Sequence, residues 1–145
     1  MVYTPFTAGQ RLTAGQLNSL LVQEIMPWTA LASVGAYASG FSSDVPPARM
    51  RKISVLGVEV WEFEGRIKIT SLAAGSAVTC FTFSSGFRVT SERGFQQFAS
   101  NTAFYGARLS FVAATGVMQV GVPAAAGSAC SGFTLDGVCI TNPLA

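Results

Sequence analysis

The chain has 145 residues, half of them hydrophobic and only 11% charged, with a net charge of +2; an ordinary soluble domain is about 25% charged. That length suits one domain, and so small a body has too much surface for its volume to bury this composition alone, so the surplus predicts burial between identical subunits or against other proteins. No apolar run approaches the roughly 18 to 20 residues of a membrane helix, the basic residues cluster only at Arg49, Arg51 and Lys52 rather than forming a nucleic-acid-binding face, and the absence of histidine removes the commonest general base and metal ligand.

The first residues, Met1 to Pro5, lack the basic and apolar regions of a secretory signal. Three cysteines (Cys80, Cys130 and Cys139) without a CxxC pair argue against a disulfide framework and predict synthesis in a reducing cytoplasm. Residues 1–12 are polar and turn-rich, and Thr7-Ala8-Gly9-Gln10 recurs as Thr13-Ala14-Gly15-Gln16. The second copy has the form of a capping box. Leu17, Leu20 and Leu21 follow at helical spacing until Pro27, which predicts one amphipathic helix over 14–26. Residues 28–48, from Trp28 through Asp44-Val45-Pro46-Pro47, show no period and read as an extended linker.

From Ala48 the texture changes to short runs of Val, Ile, Phe and Thr broken by glycine. Strands are predicted at 50–56, 58–70, 77–83, 86–91, 93–99, 104–114, 116–122 and 132–141. Turns are predicted at Gly57, Gly75, Ser84-Ser85-Gly86, Gly94, Thr115-Gly116 and Ala126-Gly127, with a tight turn at Asp136-Gly137. Alternation is clean where Leu109 and Phe111 interleave with Arg108 and Ser110, and where Ile67 and Ile69 interleave with Arg66 and Lys68. Across Val58–Glu64 the phase breaks: Val58 and Val60 share one face, Trp61 and Phe63 the other. Either a bulge near Val60 or two apolar faces, one meeting a neighbouring subunit, would explain it. Short strands recurring every roughly 8 to 12 residues suggest an all-β antiparallel sandwich of jelly-roll type. The predicted organisation is an N-terminal arm with a short α-helix and linker over 1–47, then a β-sandwich over 48–145.

Two sets of residues resemble a known family. Phe6-Thr7-Ala8-Gly9-Gln10-Arg11-Leu12-Thr13-Ala14-Gly15-Gln16-Leu17-Asn18 resembles the F-x-A-G-x-x-L-T-A-x-x-L-N opening of bacteriophage minor tail and tail-fibre proteins, notably those of actinobacterial hosts. Arg51 to Ile67, then Ser85-Gly86-Phe87-Arg88-Val89, then Leu135-Asp136-Gly137-Val138 are similar to the C-terminal β-sandwich of such proteins, with Val89 where proline is common there. The resemblance implies a structural protein of the virion, homotrimeric, made in the host cytoplasm and tail-associated as a minor tail, tail-tip or fibre-like part. No collagen-like or coiled-coil shaft is present. A capsid decoration or head-fibre protein, and a free carbohydrate-binding module, are the alternatives.

Candidate chemistry is sparse. Glu62 and Glu64 share a strand face, but same-face carboxylates form a solvated stripe more often than a catalytic pair, here expected to meet Arg66 or Lys68. No DxDxD-type calcium loop occurs. No enzyme activity, cofactor or metal is therefore expected, and neither nucleic acid nor membrane as a partner. The anchoring residues are predicted to be Phe6, Leu12, the stripe Leu17, Leu20 and Leu21, and Trp28, which would attach the chain to other virion proteins. Phe87 and Arg88 in one turn, and Asn101 and Tyr105 among the aromatics Phe95, Phe98 and Phe104, mark candidate ligand loops for a host-surface glycan. Core packing is the competing role for these aromatics.

Overall fold

A computed structural model describes residues 13–15, 21–70, 72–73, 75–100 and 105–144. The fold is all-β. Twelve strands among these residues form two antiparallel sheets packed as a barrel-like sandwich. The first sheet holds β1 (Val22–Ala30), β4 (Arg49–Val55), β5 (Val58–Glu64) and β12 (Cys139–Thr141), in that spatial order. The second holds β2 (Gly35–Tyr37), β7 (Ala77–Phe83), β10 (Val117–Gly121), β9 (Tyr105–Phe111), β8 (Arg93–Ser100), β11 (Gly132–Thr134), β6 (Arg66–Ile69) and β3 (Phe41–Ser43), again in spatial order.

The core lies between the two layers. Met50, Trp61, Phe63 and Ile140 come from the four-stranded sheet; Ile67, Phe81, Phe83, Leu109, Phe111, Met118, Val120 and Phe133 come from the eight-stranded one. Their rings pack edge-on or tilted: Phe63 lies 5.2 Å from Phe111 and 6.2 Å from Phe83, and Phe81 lies 4.8 Å from Phe83. Such offset aromatic pairs add attraction beyond simple area burial.

Two glycines shape the first sheet and its exit. Leu56 and Gly57 both have positive φ, 51° and 84°, and close the β4–β5 hairpin as a two-residue turn. Gly65 (φ 86°) separates β5 from β6, so the single run expected over 58–70 leaves one sheet and enters the other. A side chain there would meet the Pro47 carbonyl, with the carbon 2.6 Å away. The Gly65 amide donates to Asp136 Oδ1 at 2.8 Å, and its carbonyl accepts from Leu135 at 2.8 Å. The turn at Asp136-Gly137 carries the chain back from β11 to β12, so both crossings between the layers are tied together.

Several sequence expectations are corrected. The helix predicted over 14–26 is replaced from Val22 onward by β1, which pairs antiparallel with β4. Local helical spacing yields there to the tertiary ladder, a context effect that overrides weak propensity. Pro27 is tolerated because β1 is an edge strand and its register shifts between Met26 and Thr29, where no ladder donor is required. The linker expected over 28–48 holds the end of β1, a 3-10 turn at Leu31–Ser33, β2 and β3. Leu31, Val34, Phe41 and Ala48 are buried, so this stretch is woven into both layers.

The strand expected at 86–91 is a 3-10 turn at Ser85–Phe87 followed by irregular backbone, whose Val89 carbonyl accepts from Ala114. Gly94, expected in a turn, lies inside β8 opposite Ser110. The turn expected at Ala126-Gly127 falls within a 3-10 helix at Ala124–Ala129. The strand expected at 132–141 is two strands, β11 and β12. No bulge explains the phase break in β5, because its register with β4 runs unbroken from Arg49↔Glu64 to Val55↔Val58. Trp61 and Phe63 face the inter-sheet core, while Val58 and Val60 point to the opposite face, where Val58 is exposed and Val60 is buried beside Ile53.

Candidate ligand-binding site

The outer face of the eight-stranded sheet carries a depression toward one end of its middle strands. Cross-strand pairing aligns Ala77, Gly121, Arg108 and Gln96 in one row across β7, β10, β9 and β8. One step along, Gly106 pairs with Phe98 on the same face. The depression measures about 640 Å³ and is lined by Gly75, Gln96, Gly106, Arg108, Gly121 and Pro123 among others. A second hollow of about 740 Å³, lined by Gln96, Gln97, Phe98, Tyr105, Gly106, Thr134 and Asp136, adjoins it across Gln96 and Gly106.

Glycine makes the floor. A Cβ on Gly106 would lie 2.8 Å from Gln96 Nε2, so the missing side chain lets the Gln96 amide lie close over the sheet. Phe98 points outward with 65% of its surface exposed. Arg108 is exposed too, and its guanidinium stands 4.0 Å from Glu92. An exposed pair of this kind contributes little to stability and leaves the donors of the fork accessible.

The other expected site residues are dispersed. Phe6, Leu12, Leu17, Leu20, Asn101 and Phe104 lie outside the described residues. Leu21 is exposed, immediately before β1. Trp28 is half-buried in β1, with the guanidiniums of Arg49 and Arg51 at 5.9 and 4.9 Å from its ring. Those arginines pair with Glu64 and Glu62 across the β4–β5 ladder, so the carboxylate stripe meets Arg49 and Arg51 rather than Arg66 or Lys68. Arg66 instead binds Asp44 at 2.9 Å.

Phe87 is half-buried against the core, its ring 6.4 Å from Trp61. Lys52 seals that corner: its Nζ lies 4.0 Å from the Phe87 ring and 4.6 Å from the Trp61 ring, and donates to the Gly86 carbonyl at 3.0 Å. Burial pushes the Lys52 ammonium below its usual pKa. Arg88, next in the chain, is exposed. Tyr105 is half-buried, and its hydroxyl donates to the Ala125 carbonyl at 3.1 Å. Phe95 points inward, 5.9 Å from Phe111. Of the aromatic cluster expected near Asn101, Phe98 is thus the described member that faces solvent.

Gln96, Gly106, Arg108 and Gly121 were not singled out by sequence reasoning. The available signal was two glycines, Gly106 and Gly121, each inside a predicted strand.

Two packed antiparallel layers define an all-β, barrel-like sandwich. The fold resembles that of a bacteriophage receptor binding protein. The crystal structure of the receptor binding protein (gp15) of Listeria phage PSA superimposes with a TM-score of 0.59 at 17% identity, covering 89% of this chain and 71% of that one. No family model and no curated protein sequence matches the chain.

Proposed function

We propose that this chain is a structural protein of a phage virion, associated with the tail, that engages the host surface through its β-sandwich. One observation carries the reading: the fold of a phage receptor binding protein extends over 89% of the chain. The tail-protein-like opening from Phe6 to Asn18 supports the same class independently. The protein acts by binding rather than by catalysis, a role that suits a sequence without histidine.

It assembles as a homotrimer, attached to other virion proteins through its N-terminal arm, 1–47. Support for assembly comes from the outer face of the four-stranded sheet. There Val22, Val55 and Val58 form one cross-strand row, flanked by exposed Leu21, Ile25 and Leu56. A contiguous apolar patch of this kind marks an interaction surface.

Immunogold labelling of intact particles, together with adsorption assays in the presence of excess purified chain, tests the proposal. Gold at the tail tip and slowed adsorption are expected. Gold on the head with unaltered adsorption would replace the reading with that of a capsid decoration protein. Light scattering of the purified chain reads the trimer directly, and a monodisperse monomer at high concentration would remove that part.

A further inference from the structure

We propose that residues 12–20 of each subunit seat on the aliphatic end of the four-stranded sheet of the next copy, with Leu17 and Leu20 as the contact side chains. The inference rests on the homotrimer proposed above and deepens it: it names the surface that is covered and the segment that covers it.

The surface is the first argument. On the face of the four-stranded sheet turned away from the core, two apolar rows cross the strands near the β4–β5 hairpin. Val22, Val55 and Val58 form the row at the hairpin end, and Ile53 and Val60 stand in the row behind it, beside Glu24. Further along the ladder the positions are charged, Arg51 meeting Glu62 and Arg49 meeting Glu64. The apolar area is thus confined to one end of the sheet. Leu21, Val22, Ile25, Leu56 and Val58 are exposed around it, so no described residue covers its rim.

The occupant follows from where the chain enters. β1 runs antiparallel to β4, and its first residue, Val22, pairs with Val55 at the hairpin end. Leu21 is fixed there as well, since its carbonyl accepts from the Leu56 amide at 3.1 Å. The residues before Leu21 therefore join the sheet at the apolar end itself, and the strand direction points them past the hairpin tip, away from their own subunit. Those twenty residues carry Leu12, Leu17 and Leu20, and a single charged side chain, Arg11.

Size and symmetry agree. Leucines at 17, 20 and 21 keep helical spacing, and a helix with its side chains is about 10–12 Å wide. The three strands under it, β1, β4 and β5, lie about 4.8 Å apart and span roughly 10 Å. So short a helix is not stable alone in water and needs a surface to dock on. In a closed ring each copy gives its segment to the next and receives one, a heterologous contact that leaves no patch uncovered. Residues 1–11, with Phe6, stay available to other virion proteins.

Two full-length chains with different tags are co-expressed, one carrying Leu17→Cys and the other Val58→Cys. Both also carry Cys139→Ser, which removes the exposed native thiol. A short bismaleimide is expected to join the two tags, because the substituted positions are on different chains. No such product overturns the inference. So does a link that forms only when both substitutions are in one chain, which would give the patch to the subunit's own segment.

Light scattering on dilution separates this contact from the reading beneath it. Burying one leucine side chain is worth a factor of about ten or more, so the double variant Leu17→Ser, Leu20→Ser should raise the concentration at which the trimer dissociates at least about tenfold. Its far-UV circular dichroism should match wild type, because both positions precede the sandwich. A double variant that stays trimeric over the same range as wild type rejects the segment contact and leaves the homotrimer standing. A monomeric wild-type chain rejects the homotrimer, and this contact with it.

Discussion

Replacing Gly65 by alanine should damage the fold far more than the same change at Gly57. Both residues have positive φ, 86° and 84°, so both substitutions incur the left-handed penalty of about 1–2 kcal/mol, partly offset by reduced unfolded-state entropy. At Gly57 nothing lies within 4 Å of the new methyl group, and the net cost should stay near 1 kcal/mol. At Gly65 the methyl group would fall on the Pro47 carbonyl, so one backbone segment must move. That movement strains the hydrogen bonds Gly65 N–H to Asp136, Leu135 N–H to Gly65 and Arg66 N–H to Pro46, each worth about 1 kcal/mol. The total is about 3–5 kcal/mol. For a domain of this size that lowers Tm by roughly 10–20 °C, against about 4 °C for Gly57→Ala. Thermal unfolding followed by far-UV circular dichroism on both variants gives the comparison. Equal Tm values for the two would refute the reasoning, because the crowding at Pro47 would then carry no energy.

Two further perturbations probe the same framework. Asp136→Ala leaves the Gly65 amide without its 2.8 Å acceptor and should cost about 1–2 kcal/mol, read from denaturant unfolding; an unchanged midpoint would show that Asp136 does not tie the crossings. Cys80 is buried, and burial pushes its thiol from 9.0 up to about 12, so its stabilising effect is complete below pH 9 and is lost as pH rises from 9 toward 12, by at most about 1.4 kcal/mol per pH unit. Cys80→Ala should flatten the alkaline fall in stability relative to wild type, and parallel curves for the two proteins would contradict it.

What was legible in the sequence is the all-β class and most strands with a two-residue period. Ala77–Phe83 is found where expected, and Arg49–Val55, Arg93–Ser100 and Tyr105–Phe111 lie within a few residues of their expected bounds. These strands alternate or carry β-branched and aromatic residues, so local pattern and tertiary role agree. The pattern failed where the two conflict. Leu17 to Pro27 carries helical spacing, yet Val22 to Ala30 pairs with β4, and sequence spacing has no term for a partner strand more than twenty residues away. Strands β2 and β3 have three residues each, too few for a period to register. The candidate site was half visible. Phe98 was singled out within an aromatic group, but aromatic content does not tell inward Phe95 from outward Phe98; strand phase does, once the register with β9 is known.

The surplus of apolar residues is largely absorbed by the space between the layers, since Trp61, Phe81, Phe111 and Phe133 are almost wholly buried. What remains outside is therefore informative. Leu56 is the sharpest case. It occupies a left-handed position in a two-residue hairpin, where turn chemistry favours Asn, Asp or Gly, and it is 72% exposed. Neither the turn nor the core of this subunit gains from leucine there. Its amide bonds the Leu21 carbonyl at 3.1 Å, which sets Leu56 beside Leu21, and the row Val22, Val55 and Val58 follows directly in the sheet. A left-handed, exposed leucine at the head of a largely exposed valine row is the kind of apolar patch that contact with another surface would cover. The proposed trimer would supply that surface. Phe98, at 65% exposure, stands apart from that row, on the outer face of the other sheet opposite Gly106. The two layers thus turn different faces outward: an aliphatic edge at Val22, Val55 and Val58, and a polar face at Gln96 and Arg108 with Phe98 beside it.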